Sequence, residues 1–447
     1  DVEEVISASL MPVLVISNLL PCPLSFAFLL EGDSFPVPRH CSAASGEDVA
    51  IHDIDLARKV SFGASIEGLD AGSEFVPIFC PDGAAPETFL TLFDNKRDLL
   101  RLQLAHEQEP LEPFIVNVYA PYWFDNRTGL PLVYGQKWTA SNITLRGGQA
   151  DDGAGCALSN MMPDPSALAD VLGKKDRPPF AFSFGNKVDL GGAKACARLG
   201  RPFQRFSSRD NCMVPCEWSQ PFGIDAIGSS CAIDLVGEGF TVEATVQVSL
   251  VHGRFFRTKI VTFTPRYVVC NMLKQPIQLG QAGCEDTSPT AIGPGEMQVL
   301  RWLDESTDRG IRIRMLPDKS KGHEDWHWQW SNAISRNAVG YFPLKIRAKK
   351  ARADGTPQVY NLVVHNSVKG VMTFIVVRPQ DEANPAILVQ NQTSWAVGYR
   401  QVGLDPSLEE KAAPRESIGY CWDRHQGPNV LRVRLLGDGG ELGATEC

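Results

Sequence analysis

An internal repeat constrains the fold of this chain more than any other feature of its sequence. Four segments share one form: an apolar stretch, an asparagine, a short turn and a second apolar stretch. They read VLVISNLLPCPLSF, PYWFDNRTGLPLVYG, RYVVCNMLKQPIQLG and AILVQNQTSWAVGYR, and their asparagines are Asn18, Asn126, Asn271 and Asn391. Recurrence of this kind predicts an array of similar structural units.

The last two segments align without a gap at a shift of 120 residues, since 391 − 271 = 120. So many matches in one register indicate duplication rather than chance. The first segment is the most divergent, because it has Phe28 ten residues after its asparagine where the others have a glutamine. The identical pairs are Asn271/Asn391, Gln281/Gln401, Gly283/Gly403, Pro294/Pro414, Glu296/Glu416, Trp302/Trp422, Arg312/Arg432, Arg314/Arg434, Leu316/Leu436 and Asp318/Asp438.

The spacing of the segments predicts domain-sized repeats of about 110–145 residues, larger than the units of common solenoids. Their predicted bounds are 1–117, 118–265, 266–385 and 386–447. The fourth repeat has no counterpart of the stretch from YFPLKIRAKK to VMTFIVVRP, so we expect a chain cut from a longer protein, or a repeat completed elsewhere. A Gly- and Asp-rich loop at 147–178 is expected to be mobile, with one short helix near Pro165–Leu172.

Inside each repeat, apolar residues alternate with polar ones at the period of a β-strand. The stretches FTVEATVQVSLV, FRTKIVTFTPRYVV, MTFIVV and LRVRLL follow this pattern, and Gly and Pro separate them at short intervals. Helical periodicity is scarce. The sequence therefore predicts an all-β fold, a tandem array of β-sandwich-like repeats.

Composition excludes several classes of protein. The net charge of −9 and the pI of about 5.5 do not favour nucleic-acid binding over the whole surface. No apolar run is long enough to span a bilayer, and no signal peptide is evident at Asp1. The 12 cysteines are sparse for this length and form no Cys-x-x-Cys pair, which indicates reduced thiols in a cytosolic protein.

The repeated asparagine has two interpretations. An asparagine at a strand end can bond the backbone of a neighbouring loop, and this structural role is the favoured one. The alternative is a direct part in binding a partner. Trp302 and Trp422 are similarly predicted to be aromatic anchors of the repeat core rather than platforms for a ligand.

No catalytic or metal-binding motif stands out, so we expect neither catalysis nor a cofactor. The chain lacks a G-x-S-x-G elbow, a Walker loop and an H-E-x-x-H motif. His323 and His327 are four residues apart and could share one face of a helix, but a third metal ligand is not evident. The acidic pair Asp151 and Asp152 is expected to be solvated surface.

Three strings, in this order, carry a family resemblance: VYAPYWFDNRTGLPLVYGQ, WSQPFGIDAIGSS and GRFFRTKIVTFTPRYVVCN. They resemble the vacuolar protein sorting-associated protein 13 family of large, chorein-type, bridge-like lipid transfer proteins. ESIGYCWDR also resembles the family's aromatic–Trp–Asp turn. Within that family the region is similar to the adaptor-binding domain, also called the SHR-binding domain.

The resemblance implies a curved array of six β repeats in the whole domain, each with an asparagine where this chain has Asn18, Asn126, Asn271 and Asn391. It also implies a function: organelle adaptors present short Pro-x-Pro peptides, and the domain captures them. Capture would direct the rest of the lipid-conducting chain to a membrane contact site. The protein would then be cytoplasmic and peripheral, with only indirect membrane contact and no nucleic-acid partner.

Three alternatives stay open at this stage. The array could be a passive spacer. It could be a secreted carbohydrate-binding β protein, which glycosylation of the sequon at Asn142 would support. A basic patch at Lys345–Arg352 could contact lipid headgroups, although solvated lysines at a strand end explain that patch more simply.

Overall fold

The computed structural model describes most of the chain in several stretches. The predicted helix near Pro165–Leu172, the loop at 147–178, Asp151, Asp152 and Asn142, and both His323 and His327 lie outside these residues. The described ranges are 11–33, 41–67, 69–70, 74–80, 83–84, 88–93, 99–110, 112–136, 145–146, 179–183, 194–200, 203–206, 211–214, 216–303, 310–316, 328–349, 358–381, 383–385, 387–424, 428–437 and 440–446.

The regular structure in these ranges is β-strand, apart from two 3-10 helices at Gly253–Phe255 and Pro406–Leu408. The predicted all-β fold is confirmed. Strands of each sheet come from one of the stretches 14–119, 122–265, 267–379 and 387–446. These stretches are called repeats 1 to 4.

Repeat 1 forms one sheet of eleven strands in the order β3-β2-β5-β6-β9-β10-β11-β1-β4, with β7 beside β5 and β8 beside β7. Its core contains Leu14, Phe62 and Leu102, each fully buried. The strands are β1 Leu14–Asn18, β2 Leu24–Leu30, β3 Cys41–Ala43, β4 Asp48–Ile51, β5 Val60–Ile66, β6 Leu69–Asp70, β7 Val76–Cys80, β8 Gly83–Ala84, β9 Thr88–Phe93, β10 Leu99–Glu107 and β11 Phe114–Tyr119.

Repeat 2 has a five-stranded sheet in the order β15-β12-β22-β21-β20, a four-stranded sheet β14-β13-β16-β19 and the ribbon β17-β18. Its strands are β12 Tyr122–Asn126, β13 Leu132–Gln136, β14 Leu145–Arg146, β15 Phe180–Phe182, β16 Lys194–Leu199, β17 Phe203–Phe206, β18 Asn211–Val214, β19 Phe222–Gly223, β20 Ser230–Gly237, β21 Phe240–Leu250 and β22 Lys259–Pro265.

Repeat 3 has one five-stranded sheet, β26-β23-β31-β30-β29, and one four-stranded sheet, β25-β24-β27-β28. One core cluster draws side chains from both sheets, as in a sandwich, and contains Val269, Ile313 and Val364. The strands are β23 Tyr267–Asn271, β24 Ile277–Gln281, β25 Thr290–Ile292, β26 Met297–Val299, β27 Gly310–Met315, β28 Ile334–Ser335, β29 Gly340–Arg347, β30 Val359–Lys369 and β31 Met372–Pro379.

Repeat 4 has a two-stranded sheet, β32-β35, and a four-stranded sheet, β34-β33-β36-β37. Its core cluster is small, with Tyr399, Ala412 and Tyr420 buried. The strands are β32 Ile387–Gln390, β33 Ala396–Gln401, β34 Glu410–Ala412, β35 Ser417–Tyr420, β36 Leu431–Gly437 and β37 Gly440–Glu446.

One parallel strand pair recurs in the first three repeats. The strand that ends in the asparagine runs parallel to the last strand of the same repeat: β1 beside β11, β12 beside β22 and β23 beside β31. The asparagine lies opposite Val118, Phe263 and Val377 in turn. This pair closes each repeat by joining its first strand to its last.

Spatial clustering divides the chain in another way, into two compact units. The first lies entirely before residue 265, and the second includes Gly237–Glu243 and Pro265–Cys447. Repeats 3 and 4 both belong to the second unit. The predicted bounds of the four domains therefore stay a prediction.

Candidate functional site: the asparagine corners

Each repeated asparagine lies where the first strand of its repeat turns into a loop, and we call this place the asparagine corner. In repeat 3, Asn271 Nδ2 donates to the carbonyl oxygens of Gln275, Ile292 and Gly293 at 2.9, 3.1 and 3.0 Å. Asn271 Oδ1 accepts from the backbone N–H of Leu273 at 3.0 Å. Asn271 is fully buried. Its side-chain amide bonds two loops, and each polar atom of that amide has a hydrogen-bond partner, as a buried polar group requires.

The corners of repeats 1 and 4 have the same geometry. Asn18 Nδ2 donates to the carbonyls of Cys22, Ala43 and Ala44 at 2.9–3.0 Å. Asn391 Nδ2 donates to three carbonyls at 2.7–3.1 Å, those of Trp395, Ala412 and Ala413.

In repeat 2 the structure shows the bonds that the asparagine makes to the turn directly after its own strand. Asn126 Nδ2 donates to the Leu130 carbonyl at 2.7 Å, and Asn126 Oδ1 accepts from both the backbone N–H and the hydroxyl of Thr128. Thr393 bonds Asn391 Oδ1 in the same two ways in repeat 4. All of these bonds stay within the repeat of the asparagine that makes them.

Sequence reasoning missed a second part of the corner, a glutamate on the facing loop. Glu296 Oε2 accepts from the Gly293 N–H at 2.7 Å, and the Glu296 carbonyl accepts from the Asn271 N–H at 3.0 Å. Glu416 and Glu47 accept the equivalent two bonds in repeats 4 and 1, one through the side chain and one through the backbone carbonyl. The identity of Glu296 and Glu416 is visible in the alignment, but Glu47 was not recognised, because repeat 1 is divergent.

The residue before each of these glutamates has a left-handed backbone. Gly46 and Gly295 have φ of 75° and 72°, and Arg415 has φ of 62° in the same place. Glycine adopts this region readily, whereas a side chain there is strained. The corner thus requires a tight reverse turn whose geometry is kept even where glycine is replaced.

The two tryptophans differ in burial. Trp302 is 1 % exposed and packs edge-on against Tyr267, with ring centroids 6.0 Å apart. Trp422 packs edge-on against Tyr420 at 5.3 Å but is only partly buried. Trp302 therefore lies inside the core of repeat 3, whereas Trp422 lies at the margin of the smaller cluster in repeat 4.

Lys345 and Arg347 of β29 are buried against repeat 4, at 3 % and 6 % exposed. Arg347 bonds Asp423 through Nε at 2.5 Å and through Nη2 at 2.9 Å, and its Nη2 also bonds Glu410 at 2.8 Å. Lys345 pairs with Glu410, and its Nζ lies 3.9 Å from the centre of the Tyr420 ring. We call the four charged residues Lys345, Arg347, Glu410 and Asp423 the buried ion cluster.

The buried ion cluster corrects the interpretation of the basic stretch at Lys345–Arg352. Lys345 and Arg347 are not solvated, and their charges are paired inside the protein. Burial lowers the pKa of Lys345, while Glu410 and Asp423 oppose that shift by stabilising the ammonium. These two cations are therefore not available to a lipid headgroup.

Comparison with known protein families identifies the family of this chain. Residues 5–428 match the adaptor binding domain of vacuolar-sorting associated protein 13. The chain belongs to this family. The family assignment made from three sequence strings is confirmed.

Several curated relatives of the VPS13 family are similar over nearly the whole chain. Intermembrane lipid transfer protein VPS13D of Homo sapiens is 23 % identical over 96 % of this chain. The relatives vps13A of Dictyostelium discoideum and VPS13 of Chaetomium thermophilum are 22 % and 25 % identical over 95 % and 92 % of it. The matched region covers 9 %, 12 % and 12 % of these three relatives, so the chain spans about a tenth of their length.

Membrane-spanning helices and metal clusters are both missing from the described residues. In that part of the chain, no helix has the length and apolarity that a membrane crossing requires. The same residues contain no group of three metal-ligating side chains.

Proposed function

We propose that this chain is a non-catalytic adaptor-binding module of a bridge-like lipid transfer protein. It captures Pro-x-Pro peptides of organelle adaptors and so directs the larger protein to membrane contact sites. The observation that carries this proposal is the match of residues 5–428 to an adaptor binding domain. The membrane contact is indirect, through the adaptor.

The chemistry of a Pro-x-Pro peptide suits addition to a sheet edge. Successive residues of a strand direct their backbone N–H groups to opposite sides, so both prolines lack a donor on the same side. The residue between them keeps its N–H on the other side and can bond the sheet. The peptide is also extended beforehand, which reduces the entropy lost on binding.

The asparagine corners act in this proposal by holding the strand ends and loops in place. Asn271 is fully buried and Asn391 is 5 % exposed, so neither side chain offers surface for a peptide. A corner that loses its amide releases two loops. Its effect on binding is therefore indirect, through the shape of the repeat.

Binding of a fluorescent Pro-x-Pro peptide library, measured by anisotropy, tests the proposal. We expect specific binding, weaker binding by Asn391→Ala, and unchanged binding by the exposed control Asn384→Ala. Each variant is first checked for cooperative unfolding. If the folded chain binds no Pro-x-Pro peptide above an Ala-x-Ala control, the proposal is wrong and a spacer becomes the better description.

A further inference from the structure

The loop between β21 and β22 of repeat 2 is longer than the connection of its strands requires. It spans residues 251–258, which is 258 − 250 = 8 residues. In repeat 3, β30 and β31 occupy the same places in the sheet and are joined through Gly370 and Val371 alone, with Lys369 opposite Met372. Two residues therefore suffice to connect such a pair of strands. The other 8 − 2 = 6 residues of the β21–β22 loop call for another explanation.

Arg254 of this loop contacts the asparagine corner of repeat 1. Its guanidinium donates to the Gly46 carbonyl and pairs with the Asp48 carboxylate. Arg254 Nη2 also donates to the Ser17 hydroxyl at 3.2 Å, and that hydroxyl donates to Asp48 at 2.7 Å. Gly46 is the left-handed residue of the corner turn. The arginine thus bonds, from the solvent side, the same corner that the Asn18 amide holds from within.

Phe255 adds an apolar contact at the same place. A β-carbon on Gly46 would lie 3.1 Å from Phe255 Cζ, so the ring packs directly against this glycine. The ring of Trp123 in β12 lies beside it, with centroids 5.1 Å apart. Phe255 also packs against three buried residues of repeat 1. They are Leu19, Ala105 and Tyr119.

Further bonds hold the loop in this position. Thr258 is fully buried, and its hydroxyl donates to the Ala120 carbonyl at 2.9 Å, in the segment that connects repeats 1 and 2. The Thr258 N–H bonds the Phe255 carbonyl at 3.0 Å. Arg257 pairs with Glu107 at the end of β10. The loop therefore contacts repeat 1 through residues on both sides of its two phenylalanines.

We propose that the β21–β22 loop is a clasp that docks repeat 2 onto the asparagine corner of repeat 1, with Arg254 and Phe255 as its two main contacts. The corner of repeat 1 then has two roles. Its buried amide holds the end of β1, and its turn binds an arginine–phenylalanine pair that the chain itself supplies 254 − 46 = 208 residues later. Clasp and corner both belong to the first compact unit. Opening of this corner therefore depends on the clasp.

Hydrogen exchange of the chain of 447 residues tests the clasp. The reporters are the corner amides of Asn18 and Gly46, whose N–H groups bond the carbonyls of Glu47 and Asn18 at 2.9 and 2.8 Å. Phe255→Ala should raise their exchange rates at least about tenfold, because an apolar contact between the repeats is lost. The matched control Phe256→Ala removes the neighbouring ring, which is 59 % exposed, and should change these rates by less than about twofold.

A double-variant cycle tests the arginine contact. Arg254→Ala and Asp48→Ala should each raise exchange at Asn18 about two- to fivefold, because the pair is half-exposed. The double variant should raise it by less than the product of the two single effects, since both remove the same interaction. The control Arg127→Ala breaks a pair with Asp125 inside repeat 2 and should leave the corner unchanged.

Three results would refute the clasp. The first is faster exchange at Val251 after Phe255→Ala with unchanged exchange at the corner, since the loop would then serve repeat 2 alone. The second is equal acceleration at the Asn271 amide of repeat 3, because the loss of stability would then be general. The third, decisive also if Phe255→Ala does not fold, is that the effects of Arg254→Ala and Asp48→Ala multiply. None of these results depends on peptide capture.

Discussion

The buried ion cluster leads to a prediction that a simple count of lost bonds would not make. A variant that loses two charges of the cluster should be more stable than a variant that loses one. The cluster has two cations, Lys345 and Arg347, and two anions, Glu410 and Asp423, so its net charge is 2 − 2 = 0. Glu410→Gln changes this to 2 − 1 = +1. Among the described residues, Lys345 Nζ then keeps Asp423 Oδ2, at 3.8 Å, as its anionic partner beside the Tyr420 ring, while its side chain is 0 % exposed.

An uncompensated buried charge costs about 3–5 kcal/mol. We therefore expect Glu410→Gln to lower the free energy of opening of repeat 4 by about that amount. Adding Lys345→Met restores neutrality, 1 − 1 = 0, because Arg347 stays paired with Asp423. The double variant should thus be more stable than the single one.

Hydrogen exchange of the β33 and β34 amides measures this opening free energy directly. The control is Asp33→Asn, which breaks the exposed 2.7 Å pair with Arg58 and should cost less than about 1 kcal/mol. A double variant no more stable than Glu410→Gln would refute the reasoning, since the cost would then come from lost packing rather than from unpaired charge.

The corners and the thiols lead to three further predictions. Asn271→Ala removes the amide's bonds to three carbonyls and to the Leu273 N–H and should destabilise the second compact unit by about 3 kcal/mol or more in urea denaturation; a cost below about 1 kcal/mol would contradict the corner's structural role. Arg415→Gly should raise the free energy of unfolding by about 0.5–1 kcal/mol and so raise the midpoint of urea denaturation, because φ is positive at this position. Gly295→Ala should lower the midpoint for the same reason. Equal effects of the two substitutions would contradict this. Cys231 is exposed, whereas burial raises the pKa of Cys270 to about 12, so maleimide should label Cys231 in the folded chain and Cys270 only after unfolding, as mass spectrometry of peptides would show.

The four asparagines and the β-strand class could be predicted from the sequence, because both depend on local patterns. Alternation of apolar residues depends only on neighbouring positions in the sequence. A duplicated corner keeps the same residue types at the same spacing. Glu47 was missed because it lies 47 − 18 = 29 residues after its asparagine, whereas Glu296 lies 296 − 271 = 25 after its own. Its role became evident only from the bond between the Asn18 N–H and the Glu47 carbonyl.

The all-β repeat and the positions where strands turn could be predicted from the amino-acid sequence. Which charges are buried emerged only once the chain was folded. Arg347 reads as part of a solvated basic stretch until Glu410 and Asp423, 63 and 76 residues away, are brought against it. Burial and pairing depend on such distant neighbours, and the identity of those neighbours is not encoded in the local pattern.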